Sequence, residues 1–162
     1  MPLCRRTLLA ACAAVPLTGC GFALRRAPDF HFQSIHLGLP ATELALQLRR
    51  QLEGTGRVRV VDDAARADVV LESAGERRQR EVLSLNANGE VREYLLRIRL
   101  AWRLRTADGR ELLPVTELER EMEQSYSESA ALSKEQEAQM LFQSMQADLV
   151  QQVMRQLAAV QP

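Results

Sequence analysis

Cysteine, histidine, lysine and long apolar runs are all scarce in this chain, and each scarcity closes off a class of chemistry. Only three of 162 residues are cysteines. Cys4 and Cys12 fall in an N-terminal stretch with the features of a removable leader. The single cysteine left, Cys20, can form neither an intrachain disulfide nor a thiolate metal cluster. His31 and His36 are the only histidines. Their spacing points them to opposite faces of a regular strand, so they do not share a metal. No Gly-x-Ser-x-Gly elbow and no phosphate-cradling glycine loop occurs. The expectation is therefore a protein that is not an enzyme, with no metal and no cofactor. After the leader no run approaches the roughly twenty apolar residues a bilayer-spanning helix needs. Lys134 is the only lysine, so arginine carries nearly all the positive charge.

The leader itself is well marked. Arg5 and Arg6 give it a positive start, and about ten mostly apolar residues from Leu8 to Leu17 fit the apolar region of a secretory signal. It ends in Leu17-Thr18-Gly19-Cys20, which looks like a bacterial lipobox. The expectation is a signal peptide over residues 1–19 and lipidation at Cys20, with two or three acyl chains giving a stable anchor where one would not. Gly21, in place of an aspartate that would favour inner-membrane retention, implies export to the outer membrane. Loss of the leader leaves 19 basic residues against 21 acidic ones. A slight negative balance argues against nucleic acid as a partner. Residues 20–29 form a lead-in broken by Pro28, and residues 30–160 suit one domain of ordinary size.

Within that domain the patterning alternates between strand and helix. Phe30 to Leu37 is apolar on both faces and reads as a strand. Pro40 can open a helix. Ala41, Leu44, Ala45, Leu48 and Leu52 lie on one face of it, with Gly54 and Gly56 as its stop. Val58 to Val61 is a short second strand, and Val69 to Leu85 an interrupted third. Asn86-Ala87-Asn88-Gly89 marks a turn. After it Tyr94, Leu96, Ile98, Leu100, Trp102 and Leu104 alternate with Glu93, Leu95, Arg97, Arg99, Arg103 and Arg105, so one face of this strand is buried and one is polar. Ala107-Asp108-Gly109 then makes a three-residue hairpin loop into a strand from Arg110 to about Tyr126. Counted from Thr106 opposite Arg110, the register sets Ile98 against Leu118, Tyr94 against Met122, Arg99 against Glu117 and Arg97 against Glu119. Pro114 marks an edge or a bulge. Ser133-Lys134-Glu135-Gln136 reads as a capping box. It opens a helix whose stripe is Ala138, Leu141, Phe142, Met145, Leu149, Val153, Leu157 and Val160. The order predicts an α+β two-layer sandwich, with two helices on one face of a mostly antiparallel sheet of four to five strands.

The polar side of the sheet is the unusual feature. Arg77, Arg78 and Arg80 on one strand adjoin Arg97, Arg99, Arg103 and Arg105 on the next. Arginine offers planar, bidentate bonding to carboxylate or phosphate, so the last four are candidates for partner binding. Glu117, Glu119, Glu121 and Glu123 share a strand face opposite arginines, which suits a salt-bridged surface better than a catalytic carboxylate pair.

Several of these pieces, in this order, resemble the LptE (RlpB) family of lipopolysaccharide-assembly lipoproteins. They are the opening Cys20-Gly21-Phe22-Ala23-Leu24-Arg25, Asn88-Gly89 followed by Glu93-Tyr94, and Ala131-Leu132-Ser133-Lys134-Glu135. The resemblance covers nearly the whole chain after the leader. It implies a lipid-anchored outer-membrane protein that plugs and assembles with the barrel LptD and helps insert lipopolysaccharide into the outer leaflet. In the family, bases near the hairpin turn and at the start of the last helix contact lipopolysaccharide. Lys134 matches the second position. Ala87 stands at the first, leaving Arg92 or the arginine strand to substitute. The rival expectations are a periplasm-facing lipoprotein that scaffolds or activates a cell-wall enzyme, and a lipid carrier with an apolar cavity.

Overall fold

The structure is a computed structural model that describes residues 28–162. The leader, Cys20 and the Gly21–Arg26 segment lie outside the described residues. The chain runs β1 (Ser34–Gly38), α1 (Glu43–Gly54), β2 (Arg59–Val61), β3 (Val69–Leu85), β4 (Val91–Thr106), β5 (Glu111–Ser125) and α2 (Ala131–Ala159). The five strands form one sheet in the order β2-β1-β3-β4-β5. The expected α+β sandwich is present, and its long pairings are antiparallel. Beside them β1 pairs in parallel with both β2 and β3, an arrangement that hydrophobic alternation does not signal.

Each helix starts differently from its sequence expectation. Pro40 lies outside α1, whose cap is Thr42: its Oγ1 accepts from the Ala45 N–H at 3.3 Å. A hydroxyl that satisfies an orphan amide outweighs proline's preset φ. The stop is Gly56, at φ 65°, while Gly54 stays helical. Ser133-Lys134-Glu135-Gln136 is not a capping box. A short 3-10 turn over Glu128–Ala130 feeds α2 two residues earlier, and the Ser133 hydroxyl donates back to the Ala130 carbonyl at 2.8 Å.

The core lies between the sheet and the helix layer. Leu44, Leu48 and Leu52 of α1 and Phe142, Met145, Leu149, Val153 and Leu157 of α2 close over Leu96, Ile98, Leu100, Trp102 and Leu104 of β4. Trp102 is fully buried. Of the expected α2 stripe, Leu141 and Val160 are only partly buried, while Gln146, Val150 and Met154 join the buried side.

The two hairpins share one loop design. Gly89 (φ 83°) and Gly109 (φ 97°) take the left-handed position, and Asn88 keeps a negative φ. Asn86 N–H donates to the Glu90 carbonyl, and Thr106 N–H donates to that of Arg110. In β5, however, two extra residues enter between Trp102↔Thr116 and Arg105↔Glu111, beside Pro114. The register beyond them is two residues from the expected one: Leu100 faces Leu118, Leu96 faces Met122, Arg99 faces Glu119 and Arg97 faces Glu121. A one-residue slip exchanges faces, and two restore them. The predicted faces therefore hold while the predicted partners do not.

Strand β3 carries a single extra residue, Ala74, between Ser73↔Trp102 and Gly75↔Ala101. One extra residue does shift the odd–even count of each face. Val69 and Leu71 point to the helices, and beyond the bulge so do Arg78 and Arg80, opposite Ile98 and Leu96. Only Arg77 of that trio joins the polar face.

Candidate functional site

Among the described residues, no helix covers the second face of the sheet, and its chemistry is set by the odd-numbered residues of β4. Arg97 reaches Glu81 at 3.2 Å and pairs with Glu121 across the strands. Arg99 pairs with Glu119. The partners expected from the sequence survive as longer diagonal contacts, Arg97–Glu119 at 3.8 Å and Arg99–Glu117 at 3.7 Å. Glu72 of β3 binds both Arg103, at 2.6 Å, and Arg105, at 2.8 Å. Hydrogen bonds from Arg105 and then Arg103 hold the Glu72 carboxyl below its usual pKa, against the opposing effect of desolvation. The bond from Arg97 does the same for Glu121, and Glu121 in turn raises Arg97. Exposed pairs of this kind contribute about 0–1 kcal/mol each to stability. What they supply is a flat lattice of donors and acceptors, held in register by the strands. Arg77, directly opposite Arg99, forms no ion pair among the described residues.

The helix-side arginines do different work. The Arg78 guanidinium sits 3.7 Å from the Phe142 ring centroid and donates to Gln139 at 2.8 Å. That of Arg80 lies 3.9 Å from the Tyr94 centroid and bonds Glu135 at 2.8 Å. Tyr94 meets Tyr126 edge-on at 5.1 Å. These contacts bind the first turns of α2 to the middle of the sheet. Sequence reasoning placed both arginines on the wrong face. Gly75 was the available signal, since an isolated glycine in a strand often marks a bulge.

Lys134 and Arg92 lie at the same end of the molecule. Lys134 Nζ is 3.0 Å from Ser125 Oγ and 2.8 Å from Glu137. Its carbonyl accepts from the Gln124 amide at 2.6 Å. Arg92 is the extra residue of a local irregularity in β4, where Ser84↔Glu93 is followed by Leu85↔Val91. It is exposed, its carbonyl accepts from Tyr126 N–H at 2.7 Å, and it lines a depression of about 400 Å³ with Asn86, Glu90 and Ser127 to Ser129. Val82, Leu83 and Leu85 at the end of β3, and Leu132 at the start of α2, are exposed apolar residues. The arginines of the open face belong to a different surface.

A lipid carrier needs an apolar chamber. The depression between the helices, about 430 Å³, is lined instead by Glu43, Gln47, Arg50, Gln51, Gln143 and Gln146. Among the described residues, no helix is long and apolar enough to cross a membrane.

The fold and these two surfaces define a two-layer α+β domain with one charged sheet face and one end that joins basic to apolar side chains. Residues 32–157 match the family model LptE, described as "Lipopolysaccharide-assembly". This chain belongs to the LptE family. The LPS-assembly lipoprotein LptE of Yersinia pestis (strain Pestoides F) is 31% identical to it, over 95% of this chain and 75% of that protein. Among solved structures, lipoprotein B from Nitrosomonas europaea superposes with a TM-score of 0.75 at 31% identity, covering 86% of this chain and 91% of the other. The rare lipoprotein B from Shewanella oneidensis shares the fold, with a TM-score of 0.67 at 23% identity over 78% of this chain and 95% of its own.

Proposed function

We propose that this chain is an outer-membrane lipoprotein, anchored through Cys20 after removal of residues 1–19. In this reading it serves as plug and assembly partner of the LptD barrel and takes part in inserting lipopolysaccharide into the outer leaflet. It acts by binding and not by catalysis. The observation that carries the reading is the uncovered sheet face of alternating arginine and glutamate. A large outer-membrane barrel has a polar, water-filled lumen, and such a face offers it both donors and acceptors. Arg97, Arg99, Arg103 and Arg105 are the barrel-contact candidates. Lys134 and Arg92, beside the apolar side chains of the hairpin end, suit the phosphates and acyl chains of lipopolysaccharide, Lys134 as a point charge and Arg92 as a fork.

Purification of the full chain from outer membrane in mild detergent tests this reading. LptD should be recovered with it, and mass spectrometry should find acyl chains on Cys20. Fractionation with the inner membrane, an unmodified N-terminus, or recovery of a cell-wall enzyme in place of the barrel would overturn it.

A further inference from the structure

The edges of the sheet are not equally protected. An unpaired strand edge is a template for another chain. On β5 that edge is interrupted by Pro114, bent by two extra residues, and lined by Glu117, Glu119, Glu121 and Glu123. The edge at β2 is only three residues long. A third edge lies inside the strand order. Strand β1 ends at Gly38, opposite Glu72. Thr42, at the start of α1, donates to Glu76 of β3 at 2.9 Å. Among the described residues, β3 pairs with β4 alone from Arg77 onward, and Arg77–Val82 stays in unbroken register with Arg99–Tyr94. Six residues are an ordinary strand length, and none of these is proline.

The side chains along this edge indicate what would pair with it. Glu81 is matched by Arg97, while Arg78 and Arg80 are held by α2. Among the described residues, Arg77 is the open-face charge of this edge that forms no ion pair. At the far end Val82, Leu83 and Leu85 are about half exposed.

We infer that Arg77–Val82 accepts an extended strand from a protein partner, added to the sheet through main-chain hydrogen bonds. That strand carries a carboxylate beside Arg77 and apolar side chains beside Val82 and Leu83. The inference rests on the barrel-partner reading, with the added strand supplied by the barrel protein.

Hydrogen exchange on the full lipoprotein, alone and in complex with the barrel, tests it. Strand addition protects every second amide of residues 77–82, with about tenfold slower exchange or more in the complex. A benzoylphenylalanine crosslinker at Gln79 should give a barrel adduct, and one at Val115 on the β5 edge should not. Arg77→Glu should lower barrel recovery while Arg77→Lys retains it, and both should keep the parent melting curve because Arg77 is exposed. A complex whose residues 77–82 exchange as in the free chain, or that crosslinks only through position 115, overturns this inference and leaves the barrel reading standing. Failure to form the complex overturns both.

Discussion

The two faces of β4 are made from neighbouring residues and hold to opposite rules. On one, Leu96, Ile98, Leu100, Trp102 and Leu104 are almost completely buried under two helices. On the other, Arg97, Arg99, Arg103 and Arg105 are half-buried to exposed, each within reach of a glutamate. The first face is held by area removed from water, at about 25 cal/mol per Å². The second contributes little to folding, because exposed ion pairs roughly balance solvation against attraction. Stability and the proposed recognition surface are thus separated by one peptide unit, and mutations can address either alone.

The largest expected effect is on the buried face. Trp102→Ala should cost about 3–5 kcal/mol in chemical denaturation, the range for a large buried aromatic. Trp102→Phe should cost clearly less, because the buried indole Nε1 has no hydrogen-bond partner and phenylalanine removes that desolvated donor. A loss below about 1 kcal/mol for the alanine variant would mean the faces are assigned backwards.

On the open face the balance reverses. Changing both Arg97 and Arg99 to glutamate sets like charges against Glu121 and Glu119. Such pairs destabilise a sheet only modestly, by roughly 0.2–1 kcal/mol each. A charge left unpaired in a buried interface costs more, on the order of 2–5 kcal/mol of binding. Recovery of the barrel should therefore fall while the melting temperature shifts by a few degrees. Undiminished recovery with a stable double mutant would reduce the arginine stripe to a solvated surface and pass the contact to loops and helix ends.

A smaller, pH-dependent difference follows from Glu72. Its folded pKa lies below the ordinary 4.5, so its ion pairs stabilise fully above that value and lose their effect as pH falls through the lower folded one. Melting temperatures measured from about pH 6 to about pH 3 should decline less steeply for Glu72→Gln than for the parent chain. Trp102→Ala removes no titrating group, so it should keep the parent slope. Equal slopes for parent and Glu72→Gln would show that Arg103 and Arg105 do not hold this carboxylate in solution.

The smallest effect is expected at the β3 bulge. Deleting Ala74 removes the extra residue and leaves Ser73 on the helix side, Gly75 off it and Arg78 back on it. The Arg78–Phe142 contact should survive, with a melting change of no more than a few degrees. Loss of that contact, seen as a changed ring environment for Phe142 in NMR, would refute the single-insertion account of β3.

Alternation was the legible part of the sequence, because a period of two over Tyr94–Leu104 admits only one division into faces. Both hairpin turns were legible too, from glycines with no alternative role. Register in β5 was not. Counting from a turn assumes equal residues on both strands, and the extra residues near Pro114 break that equality without changing any face. The parallel pairing of β1 was invisible for another reason: short apolar runs such as Val58–Val61 carry no record of their neighbours. Lys134 and Arg92 were named through family resemblance, and the structure sets them at one end of the molecule. Nothing in composition or spacing singles out Arg78 and Arg80 as supports of α2, apart from Gly75, three residues before Arg78.

The unequal bulges of β3 and β5 bear on how this domain can change over generations. A substitution alters one side chain. A one-codon insertion taken up as a bulge, as at Ala74 of β3, leaves each residue beyond it beside its former partner and on its former face. The two extra residues of β5 are absorbed in the same way, and Leu118 and Met122 stay opposite Leu100 and Leu96. Strand length can therefore drift in a lineage while the buried and open surfaces stay as they are.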